Sequence, residues 1–200
     1  GNSLLIDMET NKYIKRFIFI SSDHTLLKKK GPYALSKLES EKIVIDSGVN
    51  YTILRPNWVY DLEGNKDLKK IILLVKKTPI VPVIGDGNYY LQPLYVGDLV
   101  NIVKKVLTNK QSEYKIYTLG GAEKISFNEL IDEISKNLKI KRKKLHIPIF
   151  LCKLFSPVIR ISKGRITEIT QDKISNDKQA IEDLDFNPVS IKSSLSKIIK

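Results

Sequence analysis

The chain has little cysteine and no long uninterrupted apolar run. Its one cysteine among 200 residues, Cys152, excludes an intrachain disulfide and a zinc site built from cysteines. Cys152 lies in the apolar run IPIFLCKLF, which is typical of a buried thiol. The nearest approach to a membrane span, residues 147–161, is interrupted by Lys153, Pro157 and Arg160. We therefore expect no membrane span and a cytoplasmic location.

Two ligand-binding patterns are also missing. No group of histidines, cysteines and carboxylates has the spacing of metal ligands, so no metal is expected. The ten glycines contain no GxGxxG triple, the motif that holds a dinucleotide pyrophosphate. Gly85 and Gly87 follow an apolar run, but Tyr90 takes the third place and Pro93 opposes a helix start. The sequence thus shows no phosphate-binding loop of its own.

The charge is strongly positive and comes mostly from lysine. The 34 Lys and Arg residues against 22 Asp and Glu give a formal net charge of +12. Lysine can neutralise phosphates, so a nucleic-acid surface is one interpretation. The lysines are scattered, however, arginine is scarce, and no nucleic-acid-binding module is recognised, so we expect no nucleic-acid partner. The densest run, KIKRKK at residues 139–144, is predicted to be a solvated loop before the strand-like LHIPI.

Strand-like and helical patterns alternate along the chain, which is typical of an α/β protein. Strands are predicted near residues 17–20, 51–54, 81–84 and 115–119. Helices are predicted near residues 33–47, 68–77, 99–107, 127–138, 177–184 and 191–199, and in the opening run SLLIDMETNKYIKRF. Asp98 is predicted to cap the third of these, and Ser126 with Glu129 to form a capping box on the fourth.

The predicted helix 33–47 has an amphipathic pattern. Its apolar set is Leu35, Leu38, Ile43 and Val44, and Gly48 is expected to end it.

A serine, a tyrosine and a lysine near the start of this region suggest acid–base chemistry. Ser22 follows the apolar run FIFIS, and Tyr33 and Lys37 lie four residues apart, on one face of the predicted helix. An ammonium group beside a phenol favours the phenolate, which suits a general base near neutral pH. The Ser22 hydroxyl could hold the same substrate oxygen in place. YxxxK is an ordinary helical spacing, so the motif gains weight only from its context.

That context resembles the short-chain dehydrogenase/reductase superfamily, in its extended or atypical epimerase/dehydratase-like branch. The segments that carry the resemblance follow in family order: FIFISSDHTLLKKKGPYALSK, YTILRPNWVY, VPVIGDGNYYLQPLYVGDLVNIV, IYTLGGAEKISFNELI and AIEDLDFNPVSIKSSL. The implied fold is α/β, a partial Rossmann-like doubly wound parallel sheet with a small C-terminal α/β substrate lobe. We expect a single domain, residues 1–60 being the C-terminal part of the NAD(P)-binding domain. Residues 61–200 would then interleave the last sheet strands with the substrate lobe.

The resemblance also implies roles for individual residues. Ser22, Tyr33 and Lys37 would be catalytic, with NAD or NADP as cofactor. The cofactor would be contacted by Ser21, Tyr33, Lys37, Pro56 and Asn57. Asn57 is equally consistent with a plain strand-to-helix loop, since asparagine is a common turn former.

Further residues are assigned to the substrate. Asp23, His24, Trp58 and Gln92 are the candidates, although Trp58 also suits packing and His24 a solvated loop. The Asp-His pair departs from the acidic pair of the dehydratases, which argues against dehydration. Leu91 and Gln92 stand where sugar-nucleotide epimerases supply an arginine to the diphosphate. The form QPLYVGD is closer to atypical members such as the NAD(P)-binding accessory subunit of respiratory complex I.

Two functions therefore remain open. The first is an NAD(P)-dependent oxidoreductase or nucleotide-sugar epimerase that uses a Ser-Tyr-Lys triad. The second is a binding or accessory protein that keeps the fold without the chemistry. Because the glycine-rich half of the family fold is not recognised, we expect a fragment, or a chain whose missing half comes from another subunit. A complete protein is the alternative. Relatives dimerise through the helix bearing YxxxK, which implies a candidate homodimer.

Overall fold

The computed structural model describes residues 14–61 and 66–199, where short strands and helices alternate. The strands are β1 (Phe17–Ile20), β2 (Tyr51–Pro56), β3 (Val59–Tyr60), β4 (Ile80–Ile84), β5 (Tyr90–Leu91), β6 (Leu94–Tyr95), β7 (Lys115–Leu119), β8 (Ile125–Ser126) and β9 (Lys143–Ile147). The helices are α1 (Pro32–Asp46), α2 (Lys66–Lys77), α3 (Val96–Thr108), α4 (Phe127–Asn137), α5 (Ile149–Leu154), α6 (Ser156–Ile159), α7 (Lys163–Ile169), α8 (Lys178–Leu184) and α9 (Ile191–Ile198).

The main sheet is parallel and has the strand order β1-β2-β7. Phe17 pairs with Tyr51, and Thr52 pairs with Lys115. The central strand β2 has apolar side chains on both of its faces, as a strand covered by helices on both sides requires. Sequence separations this large between parallel neighbours require crossover connections, which the helices supply.

Helices cover both faces of this sheet. On one face, Val44 of α1 packs with Phe19 and Ile53. On the other face, Leu54 and Leu119 pack against α3 and α8. The doubly wound α/β arrangement predicted from the sequence is therefore confirmed.

The other strands in the described part of the chain belong to a second lobe, which has a hydrophobic core of its own. Strands β4 and β9 pair in parallel over five residues, while β3 pairs with β6 and β5 with β8. The core here is formed by α2, α4 and α9 against β4, with Tyr60 and Val81 fully buried. This is the small C-terminal lobe.

Most long elements were predicted to within two or three residues. The four predicted strands correspond to β1, β2, β4 and β7. The capping box is confirmed, because Ser126 accepts the Glu129 N–H while the Glu129 carboxylate accepts the Ser126 N–H. Cys152 is buried, as expected. The predicted opening helix falls largely on residues 1–13, which lie outside the described residues.

Three local predictions are wrong. Asp98 is not the cap of α3. That position is Tyr95, and the Asp98 carboxylate instead accepts the Val189 N–H at 2.7 Å. The run KIKRKK is not wholly a loop, because its last two lysines begin β9. Its Arg142 donates to the last carbonyls of α2, Val75 and Lys76, which anchors the run.

The burial of α1 does not follow its apolar pattern either. Of the four residues in the expected set, only Val44 is buried, and Leu35, Leu38 and Ile43 are exposed. The helix buries Glu41 instead, because that carboxylate binds Arg55.

Within residues 14–61 and 66–199, no helix combines the length and apolar character needed to cross a bilayer. The same part of the chain brings together no group of three or more histidines, cysteines and carboxylates suited to a metal ion.

Candidate functional site

The candidate site lies where β1, β2 and β7 end. Parallel strands share one carboxyl edge, and ligands of open α/β sheets bind outside that edge. Ser21 and Ser22 follow β1, Asn57 follows β2, and Gly120 follows β7. The Ser21 N–H donates to the Leu54 carbonyl and the Asn57 N–H to the Leu119 carbonyl, so the three strand ends are joined.

Ser22 caps a short 3₁₀ turn over Asp23–Leu26. Its hydroxyl oxygen accepts the His24 N–H at 3.3 Å, and its carbonyl accepts the Thr25 hydroxyl at 2.8 Å. A serine oxygen that accepts a hydrogen bond still has its own hydrogen to donate. Ser22 is buried but keeps that donor for the Asp23 carboxylate or for a bound ligand.

Helix α1 places Tyr33 and Lys37 beside this turn. The Tyr33 side chain is 52% exposed, and its ring meets the His24 ring edge-on at 5.7 Å between centroids. The Lys37 ammonium donates to the Ile20 carbonyl at 2.8 Å and lies 5.1 Å from the centroid of the Phe19 ring. Ser22, Tyr33 and Lys37 therefore all lie at the carboxyl end of β1.

Ser21 is bound to the protein rather than open to a ligand. Its hydroxyl donates to the Glu41 carboxylate, which is 2% exposed. Arg55 completes the group with two hydrogen bonds to the same carboxylate, at 2.9 Å from Nε and 2.6 Å from its terminal nitrogen. This bidentate geometry satisfies both charges.

Asn57 is likewise engaged within the chain. Its amide nitrogen donates to the Lys173 carbonyl at 2.8 Å, and its amide oxygen accepts the Trp58 N–H at 2.7 Å. Trp58 is half-buried and packs against the core of the C-terminal lobe. Pro56, the last residue of β2, is buried.

Gln92 has a similar tying role. Its amide nitrogen donates to the Gly121 carbonyl at 2.9 Å, and its oxygen accepts the Ser175 N–H at 2.9 Å. A Cβ at Gly120 would meet the Gln92 amide, so a larger residue there would displace that amide. The amide of Gln92 therefore links the segments that contain Gly121 and Ser175.

A second group of buried polar side chains surrounds Asp23. Asp23 is 5% exposed, and Lys173 is also buried. Within the described residues, Oδ1 of Asp23 and Nδ1 of His24 are buried without a hydrogen-bond partner. Unpaired buried polar atoms are costly, so both atoms have hydrogen-bonding capacity left for a ligand or a water molecule.

Burial shifts the proton equilibria of this group. It raises the pKa of Asp23 to about 7, against the opposing charge of Lys173 and the Ser22 hydroxyl. Burial lowers the pKa of His24 to about 4, and the charge of Lys173 adds to that shift. Burial lowers the pKa of Lys173 to about 8, although the Asp23 carboxylate opposes this. At neutral pH, His24 is uncharged and Asp23 is partly protonated.

No motif in the sequence points to the segment that supplies Lys173. Residues 163–175 bind the loop before α1 at several points. Glu168 accepts the Gly31 N–H at 2.9 Å, and Gln171 both donates to and accepts from the Lys29 backbone. Gly31 has no side chain with which to cap α1, so Glu168 performs that role from 137 residues away. The segment is largely polar and carries no recognisable motif, which is why its role is not predictable from the sequence.

The fold of the chain is similar to that of solved sugar-nucleotide epimerases. The UDP-glucose 4-epimerase of Thermotoga maritima matches with a TM-score of 0.73 at 20% identity, covering 96% of this chain and 65% of that one. The UDP-glucuronic acid 4-epimerase of Bacillus cereus, in complex with UDP-glucuronic acid and NAD, matches with a TM-score of 0.74 at 21% identity, covering 96% and 63%. At these identities the likeness establishes the fold.

The sequence defines the family more narrowly. Residues 21–159 match the RmlD substrate binding domain, and the chain belongs to this family, within the extended epimerase/dehydratase-like branch of the short-chain dehydrogenases/reductases. The resemblance inferred from the motifs is confirmed.

The curated relatives include both an epimerase and an NADH dehydrogenase subunit. The chain is 24% identical over 164 residues to the N-acetyl-alpha-D-glucosaminyl-diphospho-ditrans,octacis-undecaprenol 4-epimerase of Escherichia coli O157:H7, covering 73% of this chain and 49% of that protein. It is 25% identical over 197 residues to the mitochondrial NADH dehydrogenase 1 alpha subcomplex subunit 9 of Arabidopsis thaliana, covering 90% and 48%. The chain thus spans about half the length of the curated relatives it matches.

Proposed function

We propose that this chain carries the acid–base centre of an NAD(P)-dependent epimerase-like oxidoreductase that acts on a sugar joined to a diphosphate. The observation that supports it best is the grouping of Ser22, Tyr33 and Lys37 at the carboxyl end of β1. Nucleotide sugars are proposed as substrates because structural neighbours were solved with UDP-glucose or UDP-glucuronic acid.

The free hydrogen-bonding capacity of these residues fits both a cofactor and a substrate. Lys37 uses one of its three ammonium hydrogens on Ile20, which leaves donors for a ribose hydroxyl. Tyr33 is half exposed at the same edge. Ser21 and Asn57 fit less well, because their side chains already bind Glu41 and Lys173. Contacts from these two residues or from Pro56 to a cofactor would therefore use the backbone or the shape of the loop.

Each residue then has a defined task. Tyr33 takes a proton from the substrate hydroxyl and returns it, Lys37 donates to the cofactor ribose, and Ser22 donates to the same substrate oxygen. A bound nicotinamide supplies the hydride acceptor and donor. Asp23 and His24 lie beside this group and would face the sugar.

A non-catalytic accessory role is the second candidate. It is favoured by the similarity to the complex I subunit, which extends over 90% of this chain, and by Gln92, whose amide binds the protein itself. In this candidate the fold binds a dinucleotide, or a partner subunit, without turnover. A homodimer through α1 and a cytoplasmic location remain proposals under either candidate.

One experiment separates the two. The purified chain is titrated with NADH and NADPH by nicotinamide fluorescence, then assayed for conversion of UDP-glucose in the presence of NAD. For an enzyme, Tyr33→Phe lowers turnover by about a hundredfold or more, while cofactor affinity stays within about twofold because the ring is kept. Cofactor binding without turnover, in the wild-type chain as in Tyr33→Phe, supports the accessory role. If the folded chain shows neither cofactor binding nor turnover, both candidates are contradicted for this chain.

A further inference from the structure

Helices α5 and α6 present large apolar side chains outward. Cys152 points into the protein, whereas Phe150, Leu154, Phe155 and Val158 are 67%, 66%, 53% and 78% exposed. We call these four residues the apolar surface. Single exposed apolar residues are ordinary, but four between residues 150 and 158 form a patch of the kind that marks an interaction site.

All charged residues in the sequence around the apolar surface are lysines or arginines. No aspartate or glutamate occurs between Glu133 and Glu168. Ten cations occupy the same stretch: Lys136, Lys139, Lys141, Arg142, Lys143, Lys144, Lys153, Arg160, Lys163 and Arg165. The excess of positive charge in the whole chain is therefore concentrated in this stretch.

Most of these cations have no acid to neutralise them. Lys144 pairs with Asp132 at 2.7 Å, Arg165 with Glu168 at 3.5 Å, and Lys136 approaches the Glu133 carboxylate at 3.9 Å. Arg142 binds backbone carbonyls, which leaves its charge in place. Within the part of the chain that the structure describes, the other six form no ion pair: Lys139, Lys141, Lys143, Lys153, Arg160 and Lys163.

We propose that this face of the protein docks on an anionic lipid bilayer. Apolar side chains on short helices that lie in the plane of the membrane enter the boundary between headgroups and acyl chains. Lysines and arginines around them bind the lipid phosphates, and their long stems allow the charge to stay at headgroup level. Lys153 lies between Phe150 and Leu154 on α5, so both chemistries come from the same helix.

Other occupants suit these observations less well. Lysine is depleted in protein interfaces, yet it predominates here. Single-stranded nucleic acid uses aromatic rings for base stacking, but the exposed apolar residues include more aliphatic than aromatic side chains, since Leu145 and Ile149 join Leu154 and Val158. The proposal does not depend on the acid–base assignment, because it concerns the C-terminal lobe and not the end of β1.

The test is flotation of the 200-residue chain with vesicles in a density gradient. Vesicles of phosphatidylcholine alone are compared with vesicles of equal parts phosphatidylcholine and phosphatidylglycerol, at low and high salt. We expect flotation with the anionic vesicles only, weakened by salt because screening shortens the range of the attraction. Equal flotation with both vesicle types, or none with either, overturns the proposal.

Two pairs of variants make the test specific. Phe150→Ser with Leu154→Ser, and separately Lys153→Glu with Lys163→Glu, should each weaken vesicle binding by more than about tenfold. The matched controls are Leu107→Ser with Ile181→Ser, also exposed apolar residues, and Lys104→Glu with Lys110→Glu, which should bind as wild type. Circular dichroism checks that each variant is folded.

Other partners would be seen in the same set of proteins. Light scattering that shows self-association abolished by the Phe150 and Leu154 changes would assign the surface to a second copy and overturn the bilayer proposal. Tight binding of a labelled single-stranded RNA, lost with the Lys153 and Lys163 changes while vesicle flotation is absent, would overturn it in favour of nucleic acid.

Discussion

Glu41 and Asp23 are buried to a similar degree, 2% and 5% exposed, and both lie near the carboxyl end of β1. Their surroundings differ. Glu41 receives two hydrogen bonds from Arg55 and one from Ser21. Asp23 has an unpartnered carboxylate oxygen, and Lys173, whose charge acts on it, forms no ion pair with it within 4.0 Å.

The difference separates a carboxylate whose hydrogen bonds are complete from one that has an oxygen left for a ligand. A buried carboxylate whose hydrogen bonds are complete holds its neighbours in place. A buried carboxyl without enough partners keeps its proton to a higher pH and has hydrogen-bonding capacity left for a ligand. The predictions below test this contrast, beginning with the largest expected effect.

Glu41→Ala should be the most damaging of these changes. It leaves the Arg55 guanidinium without its carboxylate and Ser21 without its acceptor, and removing one member of a buried pair costs about 3 to 5 kcal/mol of unfolding free energy. Urea denaturation measures the loss. Glu182→Ala, which removes the exposed Lys178 pair, is the control and should cost less than about 0.5 kcal/mol. Equal losses in the two variants would show that the Glu41 group is not structural.

Asp23→Asn should raise the unfolding free energy, whereas Glu41→Ala lowers it, and the change should be smaller. The Asp23 carboxyl has a pKa of about 7 in the folded chain and an ordinary value of 3.8. Between these values the folded state holds a proton that the unfolded state has released, so the Asp23 contribution to stability falls as pH rises and is fully unfavourable above about pH 7. Removing the carboxyl should therefore stabilise the protein at pH 8 by about 2 to 4 kcal/mol and have little effect at pH 4.

The measurement is the difference in unfolding free energy between Asp23→Asn and wild type across this pH range. His24 alone would give the opposite slope, because its lowered pKa makes the unfolded state the better proton binder between about pH 4 and 6.5. His24 is present in both proteins, so the difference isolates Asp23. The lost attraction to Lys173 limits the gain. A difference that does not change with pH would mean that Asp23 is ionised like an ordinary surface carboxylate.

Glu168→Ala should produce the smallest of the three effects. Losing the acceptor for the Gly31 N–H uncaps α1, which costs about 1 to 2 kcal/mol. Glu168→Gln is the matched control, because its amide oxygen still accepts that N–H. Hydrogen exchange at the Gly31 amide should speed up in the alanine variant and remain slow in the glutamine variant. Fast exchange in both would mean that charge, rather than the hydrogen bond, holds the helix end.

The sequence could predict those features that are determined by residues close together in the chain. The capping box joins Ser126 to Glu129 across three positions, and the strand β1 is an uninterrupted apolar run. The spacing of Tyr33 and Lys37 was visible for the same reason. The family resemblance then supplied the order of these pieces, which periodicity alone could not have given.

The rest depends on partners far away in the sequence. A glutamate in the middle of a helix normally faces solvent, and only the position of Arg55 on β2 explains why Glu41 does not. Lys173 stands in a polar loop, and nothing local indicates that it faces Asp23 from the other end of the chain. The two-residue strands are set by pairing across the lobe, so their sequences carry no recognisable pattern.

The long-range cap on α1 has a consequence for the order of events during synthesis. The hydrogen bonds from Glu168 and Gln171 to the loop before α1 span 137 and 142 residues. A ribosome makes the chain from its N-terminus, at roughly 5 to 20 residues per second. The loop bearing Ser22 and the helix bearing Tyr33 therefore emerge seconds before the residues that fasten them. During that interval the nascent chain has Ser22 and Tyr33 but not the hydrogen bonds that support the loop between them, and these form only when the last fifth of the sequence arrives.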